Sequence, residues 1–85
     1  MISFDAVHPK DIKKGDILWE SNQFVNIQFK VIDNPKLKDG SWSWRGKTSK
    51  RGIIDFVWNE RYSHYGPKIY SQPVYQGNEE YIGEK

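Results

Sequence analysis

Cysteine is absent from this 85-residue chain, so neither disulfide bonds nor a thiolate-held metal can staple the fold. Leucine and alanine are scarce as well, two and one respectively, and aliphatic packing alone therefore cannot fill a core. No stretch approaches the roughly 20 apolar residues of a membrane span. The opening MISFDAVHPK carries no apolar run of the kind a signal peptide needs. Together these absences set a cytoplasmic location and no membrane partner as the expectation. A chain this short holds one domain, and it buries only about 60–65% of the surface its unfolded form exposes.

What the sequence has in quantity is aromatic rings. Four Trp, five Tyr and four Phe bring roughly 150–250 Å² of buriable surface each, enough for a few rings to replace many aliphatics. Charge is lopsided rather than large. The formal net is +2, yet residues 30–51 hold seven Lys or Arg against Asp33 and Asp39, while the flanking segments are mildly acidic.

Strand patterning dominates. Val25-Asn26-Ile27-Gln28-Phe29-Lys30-Val31 alternates without a fault, which places Val25, Ile27, Phe29 and Val31 on a core face and Asn26, Gln28 and Lys30 on a polar one. Asp16 to Glu20 is a shorter strand, introduced by Lys13-Lys14-Gly15. Asn34-Pro35 and Asp39-Gly40 are turn signals, with Lys36-Leu37-Lys38 between them too short to classify. Ser41-Trp42-Ser43-Trp44-Arg45 alternates again. Gly46 to Gly52 reads as an exposed hairpin loop, and Ile53 to Asn59 as a strand with Ile54, Phe56 and Trp58 on one face. Tyr62 to Pro67 reads as a turn. Lys68 to Tyr75 forms a last strand, demoted to an edge by Pro73. A single helical turn is expected near His8 to Ile12. The domain spans residues 1–75, and the polar, acidic residues 76–85 are expected to be a mobile tail unless Tyr81 and Ile82 dock.

Five short strands joined by tight turns predict an all-β, five-stranded small barrel. The opening Lys13-Lys14-Gly15-Asp16-Ile17-Leu18-Trp19 resembles the first strand of SH3-like barrels, among them KOW, PWWP and MazF-type domains. That resemblance covers about seven residues. It implies an SH3-like fold and no activity, since fold does not fix function. An OB-like barrel is the competing topology.

Two constellations point to binding. Trp42, Trp44, Arg45, Lys47, Lys50 and Arg51 join a positive hairpin tip to two same-face indoles. The charges suit phosphates and the rings suit base stacking, unless the indoles are core and the loop merely solvated. The nearest acids in sequence are Asp39 and Asp55, so the four cationic side chains are expected to be exposed and free. Tyr62, His64 and Tyr65 form a secondary surface, because tyrosine joins apolar area to a hydroxyl at low entropic cost.

Catalytic signatures are missing. His8 and His64 have no metal-ligand spacing, and Gly46-Lys47-Thr48 ends like a phosphate loop but has Ser41 where the upstream glycine belongs. The expectation is a non-enzymatic binding module without cofactor or metal, whose partner is nucleic acid or an acidic protein surface. The alternative is an adaptor or inhibitor module of the small phage or mobile-element type, docking on a larger protein through Tyr and Trp anchors.

Overall fold

Seven short strands build the molecule: β1 (Ile17–Ser21), β2 (Val25–Val31), β3 (Lys36–Lys38), β4 (Ser41–Lys47), β5 (Ile53–Asn59), β6 (Ile69–Tyr70) and β7 (Asn78–Glu80). They are placed by a computed structural model that describes residues 6–21, 24–59, 69–74 and 77–82. All belong to one strongly curled sheet, half of a barrel. Its neighbours pair antiparallel except β7, which runs parallel to β2.

The curl follows from shared edges. β5 covers one edge of β4 along its whole length, whereas the other edge is divided: β3 takes Ser41 to Ser43 and β2 takes Gly46 and Lys47. β2 is divided likewise, between β7 at its start and β4 at its end. A strand that serves two neighbours on one edge must bend between them. Four of the five expected strands are present in substance, the last one, expected over Lys68 to Tyr75, is reduced among the described residues to Ile69–Tyr70 before Pro73, and β3 and β7 are added.

Local chemistry sets the turns. Asp39 and Gly40 both have positive φ, +52° and +78°, the pairing that a two-residue Asp-Gly hairpin demands. The hairpin between β4 and β5 is tighter than the sequence implies. Gly46 and Lys47 lie within β4, and the loop proper is only Thr48 to Gly52. The buried Thr48 closes it, its hydroxyl donating to the Gly52 carbonyl and accepting from the Arg51 N–H, both at 2.9 Å.

The concave face holds Leu18, Phe29, Val31, Trp44, Phe56 and Ile69, none more than 7% exposed. Phe29 stacks on Phe56 at 4.4 Å between centroids, and Trp44 stacks on Phe56 at 5.4 Å. Val31 is fully buried with Phe29, and Ile27 is 6% exposed, whereas Val25 is half-buried at the strand's start. The mouth of the half-barrel is closed by the segment before β1. There Ile12 is buried, Val7 packs on the cluster and donates to the Ile69 carbonyl, and Pro9–Asp11 forms the expected turn as a 3-10 helix.

The convex face corrects the sequence reading at two points. Asn26, expected to be solvated, is fully buried, hydrogen-bonded to Ser21, whose Oγ also accepts from the Val74 N–H. Nor does the sheet end at residue 75. β7 pairs with Val25 to Ile27, the Tyr81 ring meets Trp19 edge-on at 5.2 Å, and the Ile82 N–H donates to Gln28 Oε1. The polar composition of residues 76–80 hides this because an edge strand needs backbone groups more than apolar side chains.

Candidate functional site

The convex face is where charge collects. Lys13 to Asp16 forms a four-residue turn, with the Asp16 N–H donating to the Lys13 carbonyl and Gly15 at φ +97° in the third position, where positive φ favours glycine. Gly15 N–H then donates to the Val31 carbonyl and Lys14 N–H to Asn34 Oδ1. The turn is thereby pinned beside the end of β2, and Lys14 is held near Lys30.

Lys30 in turn stands directly opposite Lys47 across the β2–β4 pair. Lys14, Lys30 and Lys47 surround a cleft of about 660 Å³ floored by Val31, Ile32 and Ile82. Like charges directly opposite on a sheet are destabilising, and among the described residues no ion pair relieves any of the three. Lys14 feels the Asp33 carboxylate at longer range, but that carboxylate is already engaged by Arg45. A second groove of about 590 Å³ lies alongside, between Asp33, Lys36, Arg45 and Asp55. Its charges are mixed and partly cancel, so the lysine cleft carries the less compensated positive charge.

The expectation that the loop cations are free fails for both arginines. Arg45 forks onto Asp33, with Nε to Oδ2 at 2.6 Å and Nη2 to Oδ1 at 3.1 Å. Arg51 forks onto Glu80 at 2.9 and 3.0 Å. Each partner lies outside the hairpin, Asp33 on the β2–β3 connection and Glu80 on β7, so local sequence could not reveal them. The Arg45 hydrogen bond holds the Asp33 carboxyl below its ordinary range, and Arg51 does the same for Glu80. Lys47 and Lys50 remain exposed. Glu20, cross-strand neighbour of Ile27 as Glu80 also is, behaves oppositely: burial pushes its carboxyl up, and the Arg51 charge only partly offsets this.

The indoles divide. Trp44 is 3% exposed in the ring stack, and its Nε1 makes no hydrogen bond, so it offers no stacking platform. Trp42 is half-buried, faces Trp58 across β4–β5 and meets the His8 ring at 6.0 Å. Both belong to the concave face, opposite to Arg45 and Lys47 on the same strand. The six residues of the hairpin constellation are therefore not one surface. Tyr62, His64 and Tyr65 lie outside the described residues.

Lys14 and Lys30, which line the cleft with Lys47, were not among the residues singled out from the sequence, although both carried signals. Lys30 occupies an outward position of the cleanest alternating strand, and Lys14 belongs to the turn that opens β1. Their meeting depends on the register Lys30↔Lys47, which no local pattern supplies. Among the described residues, no three His, Asp or Glu side chains gather as a metal site. No protein-family model, curated protein or solved structure matches the chain.

Proposed function

We propose that this chain is a binding module whose convex face takes the phosphate backbone of a nucleic acid. The observation that carries the reading is the trio Lys14, Lys30 and Lys47 around one cleft, none of which makes an ion pair among the described residues. A cross-strand lysine pair costs stability in the free protein, and an anionic ligand removes that cost on binding. Lys50 extends the positive surface from the hairpin loop. Arg45 and Arg51 act as struts, each held by a carboxylate, and contribute less to affinity than the hairpin composition suggests. An SH3-like class for the barrel belongs to the same proposal, supported by the Gly15-Asp16 opening of β1 and by the divided edges of β2 and β4.

The experiment is a fluorescence-anisotropy titration of a labelled 12-nucleotide oligodeoxythymidine at low salt. We expect the triple variant Lys14→Gln, Lys30→Gln, Lys47→Gln to fold normally, since all three side chains are exposed, and to lose at least tenfold in affinity. Equal binding by the triple variant and the parent overturns the proposal.

A further inference from the structure

We infer that the nucleic acid taken at this cleft is single-stranded, and that Tyr81 is the ring on which one of its bases stacks. The inference rests on the phosphate-binding reading above and adds a residue and a strand class to it. Tyr81 is 57% exposed, and the residue after it, Ile82, lines the lysine cleft. Two contacts hold its ring, and the next residue is anchored as well. Its ring stands at 85° to that of Trp19, a 5% exposed neighbour on β1. Its hydroxyl donates to Glu79 Oε1 at 2.6 Å. The next residue, Ile82, donates its N–H to Gln28 Oε1 and helps floor the lysine cleft.

Register places the two features one step apart. On the convex face Trp19 is opposite Gln28, and the next pair along the same two strands is Ile17 opposite Lys30, an advance of about 7 Å along a strand. Successive phosphates of a single strand are separated by about this distance when its bases are unstacked. A base lying on Tyr81 would therefore direct the phosphate on its Lys30 side toward the cleft that Lys14 and Lys47 also line. The contact with Trp19 is perpendicular, an edge of one ring against a face of the other, so it uses at most one face of the Tyr81 ring and leaves the opposite face clear of Trp19. The Glu79 carboxylate is engaged at the hydroxyl end of the ring. A duplex keeps its bases stacked on each other and has none to offer this ring.

The test compares three labelled probes of 12 nucleotides: oligodeoxythymidine, an abasic phosphodiester strand of equal charge, and a duplex. The expected result is that the parent binds oligodeoxythymidine about 5- to 150-fold tighter than the abasic strand, the range for one stacked base. Tyr81→Leu, which keeps apolar cover on Trp19, should lose that preference while retaining the abasic affinity, and Tyr81→Phe should keep it. Equal binding of thymidine and abasic strands by the parent overturns the inference but leaves the phosphate reading standing. Tighter binding of the duplex also overturns it. Failure of the parent to bind any of the three overturns both. The parent's own comparison of thymidine with abasic strand requires no variant to fold.

Discussion

Gly46 is the position at which the core can be tested with a single methyl group. It lies within β4, buried, and a Cβ added there would stand 2.6 Å from Phe29 Cδ2 and 2.8 Å from Phe56 Cε2. Contacts that short cannot persist, and the rings have nowhere to go. Phe29 is fully buried, Phe56 is 3% exposed, and Phe56 is itself stacked between Phe29 and Trp44. Overpacking of this kind costs about 1–3 kcal/mol, against which Gly→Ala recovers about 0.4–1 kcal/mol by restricting the unfolded chain. The net loss expected for Gly46→Ala is about 1–2 kcal/mol. A domain of 85 residues has only about 4–13 kcal/mol in total, and each kcal/mol lowers Tm by about 4–8 °C at this size. Urea unfolding followed by far-UV circular dichroism measures the loss at unchanged m. A double-mutant cycle with Phe29→Leu assigns its origin: removing ring atoms relieves the clash, so the two losses should fall short of additive. A Gly46→Ala variant as stable as the parent, or strict additivity in the cycle, refutes the packing argument.

Truncation after Tyr75 should lower Tm by several degrees and shift Trp19 emission to the red, because it removes β7, the Tyr81 ring and the Ile82 hydrogen bond together. Glu20→Gln should raise Tm at pH 7. Burial raises the folded-state pKa of Glu20, so its favourable contribution is full below the unfolded value of 4.5 and is lost as pH rises through the folded one. The gain from Gln therefore shrinks toward pH 4. Glu80 has the opposite sign. Its pKa is depressed by Arg51, so its contribution is present above pH 4.5 and fades as pH falls through the folded value. Arg51→Ser should accordingly flatten the acid side of the stability profile, as measured by thermal melts from pH 3 to pH 7.

The strands were legible where period two ran unbroken. Residues 25–31 and 53–59 came out with their bounds and their inward residues, because a one-residue slip would move every large apolar side chain to water. Asp39-Gly40 was legible for a different reason, since a positive φ at both positions is open to few residue pairs. Gly46 was misread as the start of a loop. Glycine in a strand is the mark of close approach by another group, and the group here, the Phe29–Phe56 stack, comes from two other strands. β7 was missed because Asn78-Glu79-Glu80 has no apolar alternation. It is held by backbone pairing, by Arg51 and by the two residues that follow it.

The same contrast applies to the site. A cluster of positive charge in the middle third was visible in the sequence, but which charges are free was not. Arg45 and Arg51 find carboxylates 12 and 29 residues away, and Trp44 turns to the core while Arg45 beside it turns out. The lysines that make no ion pair among the described residues come from the turn before β1, from β2 and from β4. Long-range register, rather than local composition, brings them together.

The central claim is that Lys14, Lys30 and Lys47 contact phosphates, and the salt dependence of oligodeoxythymidine affinity tests it most directly. Each phosphate contact on a single strand contributes about 0.7 to the slope of log K against log salt. Replacing the three lysines with Gln should flatten the slope by about 2, while Arg45→Gln and Arg51→Gln together should change it by much less. A triple variant whose slope equals the parent's would show that these lysines are a solvated face and not the binding site.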